Sequence, residues 1–196
     1  MKKMLALALA LTLGLVVSAC SGDKGPAEAA MAAANAAFDA VRADARVYVP
    51  DQYKVVEDAF AAVNDNFKKE NYTQALADAK GLLDKVAALK TAADEKRAGL
   101  NKSWTDLSAG LPGVVTTIQS RVDILSKARR LPKDISTESF DAAKAGLDMM
   151  NQTWKEASDA FGGGNLTDAV AKAQTVKAKA AEVMGQLGMT VPDALK

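Results

Sequence analysis

The chain has 196 residues, 49% hydrophobic and 25% charged, with 25 Lys and Arg against 24 Asp and Glu. That is a globular balance for one ordinary domain or two small ones, without the basic field that nucleic-acid binding needs. It has no histidine and a single cysteine, so zinc sites built on His or Cys, c-type haem attachment, thiol–imidazole pairs and Ser-His-Asp triads are excluded.

The first element is an N-terminal leader. Met1-Lys2-Lys3 is a short positive stretch, and Met4 to Val17 is an almost unbroken apolar run. The run is shorter than the roughly 20 apolar residues of a spanning helix and suits the hydrophobic region of a secretory signal. Val17-Ser18-Ala19-Cys20 follows, and it closely resembles the lipobox of bacterial lipoproteins. The resemblance implies that residues 1–19 are a signal peptide, that cleavage precedes Cys20, and that its thiol and new amino group carry acyl chains (palmitate among them). The membrane is then a partner through lipidated Cys20. The alternative is an ordinary signal peptide with an incidental cysteine. The position after the cysteine is Ser21, not the Asp that the enterobacterial sorting rule associates with inner-membrane retention. The resemblance thus implies an outer-membrane lipoprotein facing the periplasm. Residues 20–26 read as a polar, Gly-containing leash, whose five residues from Ser21 to Gly25 reach less than about 20 Å.

Beyond Pro26 the apolar residues recur every three to four positions, and no stretch alternates with the period of a strand. Alanine-rich composition with only 5% aromatic residues points the same way. Met31, Ala34, Phe38, Val41 and Ala45 line a first helix, ended by Pro50. Tyr53, Val56, Phe60, Val63 and Phe67 line a second. Tyr72, Ala75, Ala79, Leu82, Val86, Leu89 and Ala93 line a third, widened by Leu76 and Leu83 and continuing weakly through Leu100, Trp104 and Leu107. Gly110-Leu111-Pro112-Gly113 reads as a break. Leu111, Val115, Ile118, Val122 and Leu125 form a fourth stripe. Phe140, Ala143, Leu147, Met150, Trp154, Ala157 and Phe161 form a fifth. Leu166, Val170, Ala173, Val176, Ala180, Val183 and Leu187 form a sixth. Narrow stripes rich in alanine suit an antiparallel, left-handed helical bundle with coiled-coil-like packing.

The chain also repeats itself. Residues 65–79 match residues 159–173 at seven of fifteen positions, at an offset of 94. Tyr53 pairs with Leu147, Val56 with Met150, Phe60 with Trp154 and Val86 with Ala180 at the same offset. Ala45-Arg46-Val47-Tyr48-Val49-Pro50 parallels Ala128-Arg129-Arg130-Leu131-Pro132, after which the second copy carries extra residues. The expectation is an all-α fold of about six helices from a duplicated three-helix unit, the first unit at 27–110 and the second at 111–196.

Six residues mark the repeated loop. Phe67 and Phe161 each end an apolar stripe and are expected to be buried plugs at the closed end of a hairpin. Asn71 and Asn165 stand where the next helix starts, as N-caps, with Gln74 and Asp168 three residues on as in a capping box. Asp65 and Asp159 are expected to accept hydrogen bonds from the free N–H groups of the loop. Asn-Tyr-Thr-Gln-Ala-Leu in this loop resembles the mid-hairpin signature of tetratricopeptide repeats, although the offset of 94 is far from their 34-residue period.

Other candidates have plainer readings beside them. Gly162-Gly163-Gly164 before a helix start reads as an anion cradle or a hairpin turn. Met149, Met150, Met184 and Met189 read as soft-metal ligands or as packing. Trp104, outside the strong stripes, reads as the better surface contact of the two tryptophans. Lys127, Arg129, Arg130 and Lys133 read as a contact for anionic head groups or as a solvated helix end. No carboxylate pair stands out as an acid/base couple, and no cofactor or metal is expected. The residues fit a non-enzymatic structural or protein-binding component of the cell envelope, partnered by another envelope protein and by no nucleic acid. The alternative is a periplasmic chaperone or assembly accessory that grips extended clients between helices.

Overall fold

The structure is a computed structural model that describes residues 22–195. The expected signal peptide and lipobox, with Cys20, lie outside the described residues. Within them the chain is all-helical, with α1 at Lys24–Tyr48, α2 at Pro50–Lys68, α3 at Tyr72–Ser126, α4 at Thr137–Gly162, α5 at Leu166–Gln186, and a 3-10 turn at Asp193–Leu195. Five α-helices stand where six were expected.

The difference lies at Pro112. Helix α3 runs through Gly110-Leu111-Pro112-Gly113 without a break. A proline inside a helix removes one hydrogen bond and costs about 3 kcal/mol. Here Pro112 and Gly113 are exposed, so the proline ring stands at the solvent side of the helix. Leu111 and Ile118 meanwhile are 2% and 0% exposed, each worth about 1.5–3 kcal/mol of burial. Val114 and Val115 pack on the same core. Continuity therefore wins over the local breaker.

The chain divides into two compact units, residues 22–40 with 55–86 and residues 41–54 with 87–195. Both this division at 86/87 and the expected one at 110/111 fall inside the continuous helix α3. The first unit buries Ala34 and Phe38 of α1, Val56, Phe60 and Val63 of α2, and Ala75, Ala79, Leu82 and Val86 of α3. Phe38 stacks on Phe60 with ring centroids 4.8 Å apart. Helix α1 starts at Lys24, two residues before Pro26, so the polar leash ends earlier than expected. A first-turn proline gives up no intrahelical bond and permits this. The Thr73 hydroxyl donates to the Asp23 carboxylate, and the Lys24 ammonium lies 5.8 Å from the Tyr72 ring.

The second unit has a core of Leu111, Ile118, Val122 and Leu125 from α3, Phe140, Leu147 and Met150 from α4, and Leu166, Val170, Val176, Val183 and Leu187 from α5. Helices α4 and α5 approach closely at Gly146, where an added Cβ would stand 2.5 Å from Val183 Cγ2. In the same unit, Arg97 reaches both Asp44 and Asp94.

Candidate functional site

The repeated loops are two copies of one backbone device. In the first, the N–H groups of Lys69, Glu70 and Asn71 donate to the carbonyls of Asp65, Phe67 and Asn66. In the second, Gly163, Gly164 and Asn165 donate to Asp159, Phe161 and Ala160. Each bond has its counterpart 94 residues on. The six-to-one and five-to-two pairs are those of a Schellman helix end, whose penultimate residue needs a left-handed conformation. Glu70 has φ 61° and Gly164 has φ 81°. The helix ends thus close the same way on Lys68-Lys69-Glu70 and on Gly162-Gly163-Gly164.

This geometry assigns most of the six marked residues to structure. Asn165 is the N-cap of α5, its side chain accepting from the Asp168 N–H at 3.2 Å. Asn71 occupies the matching place before α3, and its carbonyl accepts from Ala75 N–H at 2.9 Å. The reciprocal half of a capping box does not form: Gln74 donates to Asp78, and the Asp168 carboxylate takes the Lys172 ammonium. Asp65 and Asp159 do not brace the loop through their side chains, which pair with Lys69 and Lys155 at 2.7 Å on exposed faces. Their backbone carbonyls receive the loop N–H groups instead. The glycine run is likewise no anion cradle, since its N–H groups are consumed by carbonyls of the preceding turn.

The two phenylalanines depart from expectation. Phe67 is half-buried and meets Tyr72 edge-on at 5.1 Å. Phe161 is 43% exposed and stacks on Trp104, centroids 4.5 Å apart and planes 11° apart. Trp104 also stacks on Trp154 at 5.7 Å and 4°. Trp154 and Phe161 stand two turns apart on α4, a rise of about 10.5 Å, which leaves room for one ring between them. Trp104 fills it and is buried, so it is a core residue rather than the expected surface contact. The seven-residue spacing of Trp154 and Phe161 was the available signal for this stack. Met150 and Met184 are buried in the core, whereas Met149 is exposed. No group of acidic, Cys or His side chains among the described residues is arranged to hold a metal ion.

Two grooves remain. One of about 350 Å³ lies in the first unit against Ala59, Ala62, Ala77, Gly81 and Leu82, with Asp78 and Lys85 at its edge. Asp78 is already occupied, accepting from Asn66 and Gln74. The second, of about 260 Å³, lies in the second unit between Leu107, Leu111 and Val114 of α3 and the tail residues Pro192, Ala194 and Leu195. Asp106 at its rim is paired with Lys102 at 2.7 Å.

Electrostatics adds no reactive group among the described residues. Lys90 lowers the pKa of Asp94 by hydrogen bonding to it. Lys102, Lys155 and Lys172 are raised by their hydrogen bonds to Asp106, Asp159 and Asp168. Every one of these shifts holds the group in its ionised form, the reverse of what a general base or a nucleophilic amine requires. The loop from α3 to α4 is built differently: Leu131 and Pro132 are half-buried and Ile135 is buried, while Lys127, Arg129, Arg130 and Lys133 are exposed. Comparison with protein-family models, curated proteins and solved structures finds no match for this chain.

Proposed function

We propose that the protein is a non-enzymatic lipoprotein of the cell envelope, tethered through Cys20 and working as a structural or protein-binding component through its helical surface. The observation that carries this reading is Val17-Ser18-Ala19-Cys20, placing the only cysteine of the chain directly after an apolar leader. Its outer-membrane, periplasm-facing location rests on Ser21. Two features are consistent with a tethered helical body. No helix among the described residues is long and apolar enough to cross a membrane. The helices also bury most of their apolar stripe residues, and no polar or charged residue is buried as a whole among the described residues.

The repeated turn supports a further element of the reading, that the hairpins α2–α3 and α4–α5 descend from one duplicated unit within an antiparallel bundle. A chaperone that grips extended clients would need a continuous uncovered apolar patch. In the second unit the large exposed hydrophobic residues are Val47 of α1, Ile124 of α3, and Met149 and Phe161 of α4. Ile124 stands twenty residues along α3, a rise of about 30 Å, from the Trp104 against which Phe161 stacks. That spacing favours the structural or protein-binding reading. Cys20→Ser tests the tether: metabolic palmitate labelling and membrane retention should both be lost. Labelling that survives the substitution would overturn it.

A further inference from the structure

Many surface lysines of this protein are held in local ion pairs, and others, such as Lys68, Lys80, Lys85 and Lys96, are exposed and unpaired but have carboxylates close by in sequence. Lys69, Lys90, Lys102, Lys144, Lys155, Lys172 and Lys179 each sit in an ion pair three or four residues from a carboxylate. Lys127, Arg129, Arg130 and Lys133 are exposed, and their side chains make no ion pair or hydrogen bond among the described residues. They fall within seven positions, and the loop's one carboxylate, Asp134, faces Gly188. The loop does not need them to hold its shape. Ile135 is buried, its N–H donating to the Pro132 carbonyl at 3.1 Å, and Leu131 packs on the core. One turn before Lys127, Ile124 is 63% exposed.

Unpaired cations gathered beside a solvent-facing aliphatic side chain are what a charged bilayer surface selects. The cations meet lipid phosphates, and the aliphatic group enters the head-group boundary. We propose that the α3–α4 loop of the second unit, with Ile124, is a docking surface for an anionic lipid bilayer. This surface goes beyond the tether at Cys20 and does not depend on it. An acyl anchor reads no head-group charge, whereas this loop reads charge first.

The experiment uses the full chain on vesicles of phosphatidylcholine alone and of phosphatidylcholine with about a third phosphatidylglycerol. Any N-terminal anchor brings the chain to both. Acetylation rates of Lys127 and Lys133 are followed by mass spectrometry, with exposed Lys96 and Lys80 as internal references. On the anionic vesicles at low salt, Lys127 and Lys133 should react at least five-fold more slowly relative to the references. Near 1 M salt, where the screening length is about 3 Å, the difference should vanish. Arg129→Gln with Arg130→Gln removes no packing and keeps both reporter lysines. It should bring the rates on the anionic vesicles close to those on phosphatidylcholine alone, since binding weakens about five-fold per cation removed. Ile124→Gln should weaken the low-salt protection further. Equal rates on the two vesicles, or protection untouched by the double substitution, would overturn the proposal. Equal protection by soluble inorganic phosphate or by polyglutamate would also overturn it, since the surface would then be a general polyanion site.

Discussion

Gly146→Ala is the sharpest test of how tightly the second unit is packed. Alanine is worth about 1 kcal/mol more than glycine in a helix interior, so on propensity alone the change should stabilise α4. The new Cβ, however, would stand 2.5 Å from Val183 Cγ2 and 3.7 Å from Lys179 Cδ. The lysine stem can move aside. Val183 is completely buried, and a β-branched residue in a helix is held to one χ1 rotamer. The strain must therefore be taken up by separating α4 from α5, at the 1–3 kcal/mol typical of overpacking. The net expectation is a loss of about 0–2 kcal/mol. Gly99 on α3, in the same unit, has open space around its Cβ position, so Gly99→Ala should gain up to about 1 kcal/mol. Both tryptophans, Trp104 and Trp154, belong to this unit, so their fluorescence during urea unfolding reports on it alone. Gly146→Ala should lower the midpoint and Gly99→Ala should raise it. Adding Val183→Ala to Gly146→Ala should cost less than Val183→Ala costs by itself, because the vacated methyl groups make room for the Cβ. A midpoint raised equally by both glycine substitutions would refute the close-packing argument.

The aromatic stack predicts an order: Trp104→Ala should cost about 3–5 kcal/mol and Phe161→Ala, already part-exposed, about half that, read by near-UV circular dichroism and urea midpoints. The reverse order would mean that Phe161, not Trp104, anchors the hairpin end. The turns predict opposite signs: Glu70→Gly should gain, and Gly164→Ala should lose, about 1 kcal/mol, because each exchanges a strained for an unstrained left-handed residue or the reverse. Far-UV circular dichroism during urea unfolding checks both, and a shared sign would show that the two turns do not close alike.

Much of the fold was legible because burial follows the helical period. Phe38, Val41, Ala45, Val56, Phe60, Val63, Ala79, Leu82, Val86, Leu89 and Ala93 were read as one-sided stripes, and all are buried. Leu83, read as widening its stripe, is exposed instead. The turns were legible as positions, through Phe, Asn and the offset of 94. Their chemistry was not, because the loop N–H groups go to backbone carbonyls, which carry no sequence signature. Continuity through Pro112 was hidden for another reason. A breaker is a local signal, and what overrides it is burial of Leu111 and Ile118 against residues more than twenty positions away. Trp104 was misread in the same way, since its partners Trp154 and Phe161 belong to another helix.

The two hairpins also act as a comparison internal to the chain, and it separates structural residues from the rest. Their turns keep the same three hydrogen bonds although Lys68-Lys69-Glu70 has become Gly162-Gly163-Gly164. What the repeat preserves there is explained by closing a helix end, and no ligand is needed to account for it. Elsewhere the parallel fails. Ala45-Arg46-Val47-Tyr48 completes helix α1, whereas Ala128-Arg129-Arg130-Leu131 lies beyond the end of α3, in the loop before α4. The arginine-bearing segment thus completes a helix in one place and forms a loop in the other. Leu131 and Ile135 suffice to seat that loop, so its four unpaired cations have no structural task that packing would impose. A surface that folding does not require, standing where the repeat breaks down, can meet the proposed anionic bilayer at no cost to the fold.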